Sequence, residues 1–124
     1  MNLQNRDSGR CRNRLIGEKS LWPFYDHALY MVWTYENVYL DTATVNWMLS
    51  PKLFDRMLEE AVQSVESDRT LLGSDQMVWA QMISPAVEAV RDAPFLSDQV
   101  KRNILGANAR RSLKRRIGAR YPVY

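Results

Sequence analysis

Residues 69–79 read Arg-Thr-Leu-Leu-Gly-Ser-Asp-Gln-Met-Val-Trp (RTLLGSDQMVW), and they decide between an all-helical and an α/β chain. Thr70-Leu71-Leu72 is a short apolar run with no helical period, stopped by Gly73-Ser74, after which Asp75 is held out. That is a short buried strand followed by a loop carrying one carboxylate. Upstream, Leu53, Phe54, Met57, Leu58, Ala61, Val62 and Val65 recur at helical spacing behind Ser50-Pro51, a capping residue followed by a proline suited to the first turn.

The same alternation occurs once before. Pro23 opens a segment in which Phe24, Ala28, Leu29, Val32 and Trp33 mark an apolar helical face. Asn37 breaks it, and Val38-Tyr-Leu-Asp-Thr42 is a second β-prone run. Downstream, Ser84-Pro85 opens a helix with Ala86, Val87, Ala89 and Val90 as its apolar residues, and Ala93-Pro94 ends it. Ser97 caps a further helix with Asp98 in its first turn. Val100, Ile104 and Leu105 line its inner face, Gly106 stops it, and one more helical turn begins at Ala107. Helices alternating with short apolar strands predict βα units around a parallel sheet, in a helix-dominated α/β fold. Two strands alone bury too little to stand as a sheet.

Charge divides the 124 residues differently. Residues 1–20 carry five basic and two acidic groups, residues 21–98 four basic and twelve acidic, and residues 99–124 eight basic and none acidic. The formal +3 is therefore a cancellation between a folded acidic middle and two basic ends. The expected division is an unstructured basic lead-in over 1–20, a folded unit over 21–113 and a basic tail over 114–124. The composition, 46% hydrophobic and 10% aromatic, is that of a globular protein. Cys11 is the only cysteine, which excludes an intrachain disulfide and a cysteine metal cluster. No apolar run approaches the roughly 20 residues of a membrane span, and the first 20 residues hold no apolar core of a secretory signal. A cytoplasmic address is expected.

Three stretches, LWPFYDHALYMVWTYENVYLDTA from Leu21, RTLLGSDQMVW from Arg69 and APFLSDQVKRNILGANARR from Ala93, together resemble the C-terminal third of the amidohydrolase-related family. Those proteins are TIM-barrel, metal-dependent hydrolases and decarboxylases. The resemblance runs from about Leu21 to Leu113. It implies a partial (β/α)8 barrel: the last two βα units plus the C-terminal helices. It also implies a C-terminal fragment of an enzyme acting on a small organic acid or ester-like substrate.

Under that resemblance Asp75 lies at the mouth of the barrel, as a metal ligand or as acceptor of a proton from metal-bound water. The family site would hold a Zn-like divalent metal. From spacing alone, Asp75 reads rather as a turn or helix-capping residue in a solvated loop. Asp41 also ends a strand and either lines the same mouth or makes a structural hydrogen bond. Asn108 and Arg110 belong to the closing segment and are read as fastening the last helix.

The family pattern is not complete here. Its paired metal-binding histidines are absent. His27, the single histidine, falls on the first helix as an ordinary helix side chain, and Glu18 is an oxygen ligand by position alone. A catalytic zinc takes three protein ligands, so one aspartate cannot form the site and the chain alone is expected to bind no metal and to be inactive.

Two other classes compete. Lys101, Arg102, Arg110, Arg111, Lys114, Arg115, Arg116 and Arg120 form a basic run able to neutralise phosphates, with Tyr121 and Tyr124 able to stack on bases. No recognised nucleic-acid-binding motif accompanies it, so only non-specific, salt-sensitive binding is expected. The third class is a non-catalytic interaction module, because uncovered strand edges and aromatic residues such as Trp33, Trp47 and Trp79 invite self-association or a complementary barrel half.

Overall fold

The structure, a computed structural model, describes residues 14–16, 24–64 and 67–113. Its sheet has three strands, β1 (Arg14–Ile16), β2 (Val38–Asp41) and β3 (Thr70–Leu71), in the order β1-β2-β3. Both pairings are parallel. Arg14 stands opposite Val38 and Ile16 opposite Leu40, while Leu40 stands opposite Thr70 and Asp41 opposite Leu71. The lead-in expected over 1–20 therefore contains a strand, and the sheet has three strands where the sequence showed two. A three-residue segment that begins with an arginine is too short to display a period, and β2 alone supplies the pairing that makes it a strand.

Between the strands lie α1 (Tyr25–Thr34), α2 (Val45–Met48) and α3 (Pro51–Ser64). After β3 come α4 (Ile83–Arg91), α5 (Asp98–Arg102), a widened turn over Asn103–Ala107 and α6 (108–113). Val38, Tyr39 and Leu40 are all buried, as befits a central parallel strand covered on both faces. Against them pack Ala28 and Val32 of α1, Phe54, Leu58 and Ala61 of α3, Val90 of α4, and Ile104. Tyr25 binds α1 to α3 by donating its hydroxyl to the Met57 carbonyl. Burial first, then the negative charges of Glu60 and Asp26, push its phenol pKa up and keep that donor protonated.

Several helix assignments shift. Phe24 and Trp33 are exposed, not part of the buried face. Phe24 precedes the first helical turn, and Trp33 points one residue's rotation away from buried Val32. Ser84-Pro85 lies inside α4, which begins at Ile83 after a 3-10 turn over Ala80–Met82. Pro85 is tolerated because first-turn N–H groups have no helical partner anyway. Ser97 does cap α5, its Oγ accepting from the Val100 N–H at 3.4 Å. Gly106 does not stop the helix. Its extended φ of 176° kinks it, and helix resumes at Asn108.

The kinked segment closes the outer side of β3. In a strand, successive peptide groups point to opposite edges. Leu71 offers its carbonyl to the Thr42 N–H on the β2 side at 3.0 Å. On the far side, the Leu72 N–H donates to the Ile104 carbonyl at 3.1 Å, and the Asn108 amide donates to the Thr70 carbonyl at 2.7 Å. The same amide reaches the Ser67 carbonyl at 2.7 Å. Asn108 is fully buried and fastens the last helix to β3, as read from the closing segment, whereas Arg110 is exposed and Arg111 donates to the Asn108 side chain.

Candidate functional site

Both βα connections leave the sheet at the carboxyl ends of β2 and β3, and the carboxylates lie there. Asp41 is the last residue of β2. Its Oδ1 accepts from the Ala43 N–H at 2.7 Å, turning the chain toward α2. Gly73, two residues beyond β3, lies directly against it: a Cβ built on Gly73 would fall 2.1 Å from Asp41 Oδ1 and 2.9 Å from the Ala43 Cβ. The glycine is thus required by space. The two strand ends are joined further by Asn46, whose amide donates to the Gly73 carbonyl at 2.7 Å and to Thr42 Oγ1 at 3.4 Å.

Asp75 follows on the same loop. Its side chain is exposed, it caps no helix, and its Oδ2 accepts the Thr44 hydroxyl at 3.2 Å. Thr44 has φ 65° and Asp75 φ 49°, the non-glycine residues with positive φ among those described. For a β-branched threonine that region is strained, and such strain persists only where surrounding contacts hold it. The Thr44–Asp75 hydrogen bond joins the two strained positions across the gap between the loops.

Asp41 and Asp75 are close enough to interact. Partial burial raises the Asp41 pKa, the hydrogen bond from Ala43 opposes the rise, and the negative charge of Asp75 adds to it. Asp41 therefore keeps its proton into a higher pH range than an ordinary carboxyl, chiefly because it is partly buried.

Beside the pair opens a cavity of about 420 Å³, walled by α2 and by the loop after β3, with Thr44 and Asp75 on its lining. Trp47 fixes its floor by donating its indole N–H to the Ser74 carbonyl at 2.9 Å. With its amide oriented to suit both neighbours, Gln76 accepts from the same indole at 2.7 Å and donates to the Trp79 carbonyl at 2.9 Å. Met77 is 92% exposed and Trp79 58%.

The remaining candidates lie elsewhere. His27 is an exposed residue of α1, in edge contact with the Phe24 ring. Glu18, Cys11 and the basic tail beyond Leu113 fall outside the described residues. Of the basic run, Arg102 bonds to Gln99 on its own helix at 3.2 Å. Thr42, Thr44 and Asn46 were not singled out from sequence as site residues, and Trp47 only among the aromatic residues that invite a partner. The available signal was a polar run immediately after a strand, at the position of a βα loop.

Among the described residues no group of three or more His, Cys, Asp or Glu side chains is placed to hold a metal ion. Asp41 at the end of β2 and Asp75 on the loop after β3 offer carboxylate oxygens, which does not amount to the three protein ligands of a catalytic zinc. The described residues therefore do not make up a divalent-metal site by themselves. No helix among them is long and apolar enough to cross a membrane. A family model described as Amidohydrolase matches residues 16–115. No curated protein and no solved structure matches the chain.

Proposed function

We propose a function from one premise: the chain belongs to the amidohydrolase family. It supplies the carboxylate-bearing wall of a hydrolase or decarboxylase mouth that takes a small organic acid or ester-like substrate. Members of this family generally use divalent metals, and the donors that complete such a site lie outside the described residues, in the rest of this chain or in a complementary barrel half. A cytoplasmic address belongs to the same proposal.

The observation that carries the reading is that Asp41 ends β2 and Asp75 lies on the loop after the adjacent parallel strand β3, with the Thr44–Asp75 hydrogen bond joining the two loops. In barrel enzymes that end of the sheet holds the chemistry. The consecutive order β1-β2-β3 also suits a sector of a barrel, in which each strand is laid down beside the last. Asp75, exposed at the cavity, is the group able to accept a proton from an attacking water or to present an oxygen to a cation. Asp41, half-buried and held by Ala43, orients the loop and keeps a higher proton affinity.

Two measurements on the full chain test this. Calorimetric titration with Mn²⁺ should show no tight stoichiometric binding by the full chain. Tight binding that Asp75→Asn leaves intact would overturn the role given to Asp75. Hydrolysis of p-nitrophenyl acetate in the presence of Mn²⁺ or Zn²⁺ should not exceed that of Asp75→Asn. Turnover by the wild-type chain that the variant abolishes would show a complete site and overturn the view of one wall.

A further inference from the structure

We propose that the outer face of α1 is a docking surface for a second copy of this chain, which offers its basic C-terminal end, so that copies associate head to tail. This surface stands apart from the mouth at the carboxyl ends of β2 and β3 and uses none of its residues.

The helix sets out the face. Ala28 and Val32 bury one side of α1 against the core. Asp26, Tyr30 and Trp33, at i, i+4 and i+7, share the side turned away from it and form one ridge. Trp33 is 72% exposed and Tyr30 61%, and their ring centroids lie 6.4 Å apart with the planes tilted by 45°. Phe24 and Tyr35, at the two ends of the helix, are exposed as well. None of these four rings belongs to the core. Large aromatic groups held in one row in water mark a contact surface.

What covers the ridge is decided by charge. Exposed carboxylates border it: Asp26 on α1, Glu36 just beyond the helix, and Glu60 of α3, whose charge acts on Tyr25. The cation near the end of α1, Arg69, is already engaged by the Val32 and Tyr35 carbonyls. Such a rim disfavours phosphate-bearing surfaces and suits a cationic partner, whose guanidinium groups also lie well over indole and phenol faces. This chain carries that complement itself, since residues 99–124 hold eight basic and no acidic groups. In the described part of that end, Arg102 and Arg110 are exposed, and so is Leu113, which adds an apolar contact. Among the described residues no ion pair joins the two sets within one copy; the pair that forms is between the neighbours Arg91 and Asp92. The opposite charges are left for another molecule.

A basic end on one copy against an aromatic ridge on the next is a heterologous contact. Each copy still has one free face after the first contact forms, so association runs past the dimer into a ring or an open chain. Because the charges involved are exposed, the contact weakens as salt screens them.

Sedimentation velocity on the full-length protein, freed of nucleic acid, tests this. At about 50 mM salt the wild-type chain should pass beyond the dimer as its concentration rises, and about 500 mM salt should weaken association at least about tenfold. Trp33→Ala removes the ridge, and Arg110→Glu combined with Lys114→Glu reverses the basic end. Trp33 and Arg110 are exposed, so both variants should keep the wild-type circular dichroism. Each variant alone should associate at least about tenfold more weakly than the wild type. Mixed, the two should form an equimolar dimer and nothing larger, because only the basic end of one and the ridge of the other remain. A wild type that stays monomeric at low salt overturns the proposal. Association that depends on only one of the two faces, or folded variants that form no dimer on mixing, overturns the head-to-tail contact.

Discussion

At the amino end of β3, backbone groups are closed by side chains that come from far along the chain. Asn108 holds the Ser67 and Thr70 carbonyls, and Arg69 donates to the Val32 and Tyr35 carbonyls where α1 ends. A cation there also suits the negative end of the helix dipole. At the carboxyl end of β2 and β3 the contacts are of another kind: two carboxylates, two residues at positive φ, and a glycine pressed against an aspartate. The first end pairs backbone carbonyls with side-chain donors and has no described residue at positive φ. The second end holds strain and like charge, and keeps apolar side chains in water. One sheet thus separates what stabilises it from what is available for binding.

The sharpest way to break this division is Asn108→Ala. It strips the buried Thr70 carbonyl and the part-buried Ser67 carbonyl of their donor and should cost about 2–4 kcal/mol in urea unfolding, since an unpaired buried group costs about 1–3 kcal/mol. A loss comparable to that of an exposed substitution would mean that the amino end is not the stabilising one.

Gly73→Ala should come next, at about 1–3 kcal/mol for overpacking. Its methyl would displace the Asp41 carboxyl. In combination with Asp41→Gly the cost should fall, and unfolding of the single and double variants would show that coupling as non-additivity. Strict additivity would mean the two residues do not share the space.

Thr44→Gly relieves positive φ but loses the hydroxyl bond to Asp75, so its net effect should stay within about 1 kcal/mol. What it should change more is the indole N–H signals of Trp47 and Trp79 in ¹⁵N-resolved NMR spectra, as the loops part. If those stay fixed, Thr44 is not what holds the carboxyl-end loop.

The smallest effect concerns pH. Burial and Asp75 raise the Asp41 pKa, so the folded state binds this proton more tightly than the unfolded chain. Its contribution is therefore greatest at or below the ordinary carboxylate range and declines as pH rises through the elevated folded value. Asp41→Asn keeps an acceptor for the Ala43 N–H and removes the titration. The stability profile of the variant over mildly acid pH should be flatter than that of the wild type. An unchanged slope would assign the pH response to other groups.

How much of this the sequence displayed depended on whether the information was local. The α3 stripe was legible: Phe54, Met57, Leu58 and Ala61 are buried as their spacing demands, Leu53 and Val62 are half-buried, and Val65 lies outside the described residues. β2 and β3 were legible as apolar runs between breakers, and Asp75 as a residue held out after a strand. β1 was not, because three residues have no period and only the register with Val38–Leu40 defines them. The α2 turn and its polar neighbours were also hidden. Thr42, Thr44 and Asn46 find their partners 27–31 residues away, at Gly73 and Asp75. Nothing in their own neighbourhood announces those bonds. Gly73 was legible as a stop to the apolar run, and the structure adds what it makes room for: the side chain of Asp41.

The widened turn after α5 has a consequence for assembly. With the Thr70 carbonyl and the Leu72 N–H already engaged by Asn108 and Ile104, an incoming strand would find no free ladder along that margin of the sheet. Growth of the sheet is therefore one-directional. Any further strand, from this chain or another, must add beside β1, or must first peel the C-terminal helix from its seat.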